Sequence, residues 1–123
     1  MSEKLLPKEY EVAAAIGKGL LCKFDAAGLI VLATAVTDNI IGVTGHDVTA
    51  AEFTAGKDRI RVEHLGFEDV VAGVALAPGV KFTTDGSGRA VVAAATNNIG
   101  GIVIEEATAL GDIIRCFISP ASR

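Results

Sequence analysis

Apolar residues in this chain come in short runs punctuated by Gly, Asn and Asp, and no stretch sustains the spacing of a long amphipathic helix. The runs at residues 20–24, 29–33, 40–44, 59–65, 67–71, 89–93, 99–104 and 112–118 have the length of strands. Alternation is clearest at residues 59–63, where Arg59, Arg61 and Glu63 interleave with Ile60 and Val62. Side chains on a strand point alternately to opposite faces, so the charged set meets water and the apolar pair a core. The pattern predicts an all-β domain, either a small β-barrel or a β-sandwich.

The runs repeat as a set. Thr-Asp-Asn-Ile-Ile-Gly-Val at residues 37–43 returns as Thr-Asn-Asn-Ile-Gly-Gly-Ile at 96–102. Lys23-Phe24 precedes the first and Lys81-Phe82 the second, a strand led by Gly28 parallels one led by Gly88, and the Gly56 turn is echoed at Gly111. Each half, at about residues 20–65 and 78–118, reads as a strand, a turn built on Asn and Gly, and further strands of the same sheet. Two such units bury their apolar faces against one another, giving a single domain over residues 12–118 made of two related halves.

Three segments depart from the β pattern. Thr49 and Glu52 have the spacing of a capping box, predicting one short helix that Gly56 ends. Residues 1–11 read as an extended N-terminal arm: a frayed terminus on one reading, and on the other a segment that orders on a partner, with Leu5, Leu6 and Tyr10 as apolar anchors and Pro7 opposing helix. Residues 119–123 read as an irregular tail.

Composition narrows the function classes. Eleven Lys and Arg against fifteen Asp and Glu give a net charge of −4 without a basic cluster, so nucleic acid is not an expected partner. No run approaches the roughly 20 apolar residues of a membrane helix, and the first residues lack the apolar core of a signal peptide, so neither a membrane nor export is expected. Cys22 and Cys116 lie in apolar runs and read as buried, reduced thiols.

Catalytic signals are absent from the pattern. His46-Asp47 and Glu63-His64 are isolated pairs without the further ligands a metal needs, and Gly17-Lys-Gly19 lacks the third Gly and following helix of a phosphate loop, so it reads as a turn. Asp38, Asp85 and Asp112 fall in turns, where an Asp carboxylate accepts from nearby backbone amides. Glu105-Glu106 reads as an edge charge discouraging strand addition. The expectation is a protein with no active site, no metal and no cofactor.

Order and spacing then acquire a specific meaning. Lys23-Phe24, the Thr-Asp-Asn-Ile-Ile-Gly-Val segment, the Gly56-Lys-Asp58 turn, Ala77-Pro-Gly-Val80, Thr84-Asp-Gly-Ser-Gly-Arg-Ala-Val91, Ile99-Gly-Gly-Ile-Val-Ile-Glu-Glu-Ala107 and Gly111-Asp-Ile-Ile-Arg115 together resemble the capsid cement, or head decoration, proteins of tailed bacteriophages. The resemblance covers about residues 12–118. It implies a non-enzymatic β domain, synthesised in the host bacterial cytoplasm, that assembles as homotrimers on the capsid exterior of the virion. There it binds the major capsid protein of the expanded head and stabilises the shell. By position alone it also implies a capsid-binding role for the arm residues Leu5, Leu6, Pro7 and Tyr10. Two alternatives stand beside it: another virion part, such as a head-fibre base or tail element, and a small-ligand-binding β-barrel, for which five Phe and one Tyr offer few aromatic walls.

Overall fold

The structure, a computed structural model, describes residues 8–121. The chain runs β1 (Lys8–Glu11), β2 (Leu21–Phe24), β3 (Ile30–Leu32), β4 (Gly42–Thr44), α1 (Ala50–Thr54) and β5 (Arg59–Glu63). It continues through β6 (Gly66–Val71), β7 (Lys81–Thr84), β8 (Ala90–Val92), β9 (Ile99–Val103) and β10 (Ile113–Ala121). These form two five-stranded antiparallel sheets, β1-β5-β4-β2-β3 and β6-β10-β9-β7-β8. Of the two expected architectures the sandwich-like one is found: neither ladder closes on itself into a barrel.

The two sheets share one order, element for element, and the register shows how far the duplication reaches. Cys22 stands opposite Gly42 as Phe82 stands opposite Gly101. The parallel bridge between Val12 and Ile30 is matched by Ala72 with Ala90, and the antiparallel bridge between Ile16 and Val48 by Leu76 with Ala107. Equivalent elements therefore begin at β1 and β6, upstream of residues 20 and 78. Lys23-Phe24 and Lys81-Phe82 are a coincidence, because the residue in the place of Phe82 is Cys22 and the residue in the place of Phe24 is Thr84.

The 37–43 and 96–102 segments are true equivalents, and their glycines have a steric reason. A Cβ on Gly42 would overlap the carbonyl oxygen of Glu63, and one on Gly101 the carbonyl oxygen of Phe117, so each lets the neighbouring strand close in. Preceding each glycine, an acid or amide closes the turn. Asp38 Oδ2 accepts from the amides of Thr34 and Ala35, and Asn97 Oδ1 from that of Ala94.

Two clusters make the core. Val12, Ile16, Cys22, Ile30, Val48, Ile60 and Val62 fill the first half, covered by Tyr10 and Phe53. A larger cluster joins the interior of the second half, including Phe82, Val103, Ile114, Cys116 and Ile118, to Leu21, Ala33, Ile40 and Val43 of the first. Helix α1 forms as expected: the Thr49 amide donates to Glu52 Oε1 at 2.9 Å and the Glu52 amide to Thr49 Oγ1 at 3.1 Å. It is the only helix among the described residues.

The ends differ from expectation. Residues 8–11 are a strand, because Glu9 and Glu11 alternate with Tyr10 and Val12 and pair with β5. Strand β10 continues through Ser119 and Pro120 to Ala121. Its register with β9 shifts between Ile118 and Ala121, which accommodates a proline lacking an amide donor. Glu105 is not an edge charge: it lies in a bend and its Oε1 accepts the Arg115 amide at 3.0 Å.

Candidate binding face

On β10 the residues Ile114, Cys116 and Ile118 are buried, so Ile113, Arg115 and Phe117 point outward. They stand opposite Val71, Asp69 and Phe67 of β6. Ile113 is 67% and Phe67 61% exposed, and the rings of Phe67 and Phe117 meet edge-on at 5.3 Å. Ile102 of β9 extends the stripe beside Phe117. Its polar features are the loose ion pair between Arg115 and Asp69 at 3.6 Å, with both side chains open to water, and Lys18, which lines a shallow depression with Asp69, Val71 and Ile113. Exposed isoleucine and paired phenylalanine on one strand face are what a protein contact uses and what a solvated face avoids.

Duplication supplies an internal control. In the first half the same surface lies on β1 and β5, where Glu11 faces Arg59 and Glu9 faces Arg61. Arg59 stands where Ile113 stands, Glu11 where Val71 does, and Glu63 where Phe117 does. Arg61 keeps the place of Arg115 and is held by Glu63 at 3.0 Å and by the Gly45 carbonyl at 2.9 Å. One backbone therefore carries a charged face in one half and an apolar face in the other. Strand geometry does not require the apolar set, since its twin folds without it.

The candidate arm divides. Leu5, Leu6 and Pro7 lie outside the described residues. Tyr10 sits in β1, edge-on to Phe24 at 5.3 Å and to His64 at 5.6 Å. His64 Nδ1 faces the Ile41 carbonyl at 2.8 Å and must donate to it, which leaves Nε2 to accept from the Tyr10 hydroxyl at 2.9 Å. Burial, with a smaller contribution from Cys22, pushes the Tyr10 pKa up. Tyr10 thus ties β1 to the rest of the first half.

The remaining polar residues are used locally. His46 Nε2 accepts the Arg61 amide and Nδ1 faces the Asp47 carbonyl, while Asp47 accepts the Lys18 amide. Among the described residues no group of His, Cys, Asp or Glu is arranged to hold a metal, and no helix is long and apolar enough to cross a membrane. Asp85 accepts from the amides of Ser87 and Arg89, and Asp112 from those of Thr108 and Ala109, as turn aspartates were expected to do. At Asp38 burial opposes ionisation, but the Lys23 ammonium and the Thr34 and Ala35 amides outweigh it, and the pKa falls. Burial pushes both thiols, Cys22 and Cys116, up to about 12.

Sequence reading missed the apolar stripe. A signal existed: Phe67, Ile113 and Phe117 occupy the positions that alternation assigns to solvent. Without the pairing of β6 with β10 they read as ordinary hydrophobic residues of core strands. No protein-family model matches this chain, nor does any curated protein sequence. Among solved structures, the head fiber gp8.5 N base of bacteriophage phi29 shares the fold, with a TM-score of 0.70 and 19% identity over 96% of this chain and 97% of that one.

Proposed function

We propose that this protein is a structural component of a phage virion, seated on the outside of the head, where it binds the major capsid protein and stabilises the shell without catalysing a reaction. The likeness to a head fiber base along nearly the whole of both chains supports the virion reading. The observation that carries the binding role is the apolar face of β6 and β10 against its charged twin on β1 and β5. A ligand that binds the assembled shell and not its dissociated subunits stabilises the shell by mass action, as RT ln(1 + [L]/Kd) at each site. In this reading Phe67, Phe117 and Ile113 supply the buried anchor of the site. Copies assemble as homotrimers, which multiplies the contact.

The test is co-sedimentation of the purified protein with expanded and unexpanded heads of its own phage. Saturable binding at a fixed ratio to the major capsid protein, restricted to expanded heads, is the expected result. Binding to neither particle would place the protein elsewhere, such as on the tail. A second reading, that the chain is the base of a head fibre, is favoured by the same likeness. Cryo-electron microscopy of the virion separates the two: a base carries a projecting fibre at each site, whereas a cement protein forms a bare knob whose removal lowers the temperature at which heads rupture.

A further inference from the structure

Apart from Asn98, which donates to the Thr37 and Asp38 carbonyls and lies against its own counterpart Asn39, the contact between the halves is one-sided. From the first half, the Leu21 amide donates to the Gly88 carbonyl at 2.7 Å and Gly19 accepts from the Val71 amide at 2.9 Å. The Thr84 hydroxyl donates to the Ala33 carbonyl, and the side chains of Leu21 and Leu32 close over Gly100 and Gly88. Two equivalent units related by a twofold axis would make each contact twice. Here the transposed contacts do not form: a Cβ on Gly79 or on Gly28, the counterparts of Gly19 and Gly88, would meet nothing within 4 Å. A patch on β2 and β3 of one half is seated on a different patch, the β7–β8 hairpin and the start of β9, of the other.

Such a head-to-tail contact leaves one unused copy of each patch. The second half has its own socket, in which Lys81 stands for Leu21, Val92 for Leu32 and Ala93 for Ala33. The first half has its own plug, in which Phe24 stands for Thr84, Gly28 for Gly88 and Glu11 for Val71. Exposure follows occupancy. Leu21 is fully buried while Lys81 is exposed, Thr84 is 1% exposed while Phe24 is 42%, and Val92 of the unused socket is 55% exposed. Charge is complementary too, with Lys81 on the socket and Glu11 on the plug.

We infer that copies of this chain join through these two patches, the plug at Phe24 and Gly28 of one copy entering the socket at Lys81 and Val92 of the next. The contact between molecules repeats the contact within each molecule. Repetition around an axis closes a ring in which first and second halves alternate. This names the self-interface of the proposed homotrimer, yet it stands on the duplication and is independent of which particle the protein binds.

The experiment uses the full chain in sedimentation velocity without particles. Wild type sediments as a closed assembly, whereas Val92→Asp, with a spoiled socket, and Phe24→Asp, with a spoiled plug, each sediment as monomers with native circular dichroism. Mixing the two variants gives a dimer, because each retains the patch the other lacks. Since Phe24 also touches Tyr10, the charge pair gives a second route: Lys81→Glu and Glu11→Lys each weaken assembly, and the double variant restores it. A wild-type monomer at every concentration, single variants that assemble like wild type, or a mixture that stays monomeric overturns the inference. Co-sedimentation of monomeric Val92→Asp with expanded heads is read separately, and bound monomer leaves the particle reading standing when the ring fails.

Discussion

Replacing Phe67 by Thr removes the ring from the proposed contact while keeping strand propensity. A Phe side chain presents about 200 Å2, and with 61% still accessible in the free protein about 120 Å2 remains for a partner to cover. At about 25 cal/mol per Å2 that area is worth about 3 kcal/mol, which corresponds to roughly a 100-fold loss of affinity for expanded heads. Folding loses a comparable amount, because the covered part of the ring, about 80 Å2, is worth about 2 kcal/mol and its edge-on contact with Phe117 about 1 kcal/mol more, a fall of roughly 12 degrees in Tm. Co-sedimentation isotherms measure the first quantity and differential scanning calorimetry the second. Glu9→Thr, on the charged twin face, is the control and leaves affinity unchanged. If Phe67→Thr binds expanded heads as tightly as wild type, the face of β6 and β10 is not the contact.

Other expectations follow from the interior. Gly101→Ala or Gly42→Ala forces a Cβ into a neighbouring carbonyl oxygen and unfolds the protein or lowers its stability by more than about 3 kcal/mol in urea titrations; Gly79→Ala, with open space around it, loses only about 1 kcal/mol for its positive φ of 89°. Phe82→Ala empties the cluster shared by the halves and destabilises by about 3–5 kcal/mol, seen as a lower urea midpoint with one transition for both halves. Both thiols, raised to about 12 by burial, resist a thiol-reactive disulfide reagent at pH 8 in the native protein and react fully in denaturant. Asp38 has a depressed pKa when folded, so its stabilisation is complete above the unfolded value near 3.8 and fades as pH falls through the lower folded value; Asp38→Asn flattens that acid limb of the urea midpoint against pH.

Sequence alone determined the class of fold and its internal echo. Strand length, alternation at Ile60 and Val62, the Thr49 capping box and the aspartate turns are all local, governed by neighbours within a few residues, and each appears in the structure where the pattern put it. Local reading failed where a local signal was weak or shared. The alternation of Glu9, Tyr10, Glu11 and Val12 was too short to stand out beside a charged terminus, residues 119–123 read as an irregular tail although a register shift carries β10 through Pro120 to Ala121, and Lys-Phe recurred by chance outside the true register.

What only the tertiary structure decided is which apolar residues face the core and which stay exposed. Leu21 and Lys81 occupy equivalent positions, as do Thr84 and Phe24, and Phe117 and Glu63. The sequence places Lys81 and Glu63 in water, but it does not say that Thr84 is buried while Phe24 is left open, because that depends on which patch of one half meets which patch of the other. Pairing of β6 with β10 gathers Phe67, Ile113 and Phe117 from distant parts of the chain onto one surface. The one-sided docking of the halves buries Leu21 and leaves Val92 open. Burial is a property of the assembled surface, and so the duplication was legible in residues 37–43 and 96–102 while its consequence for burial was not.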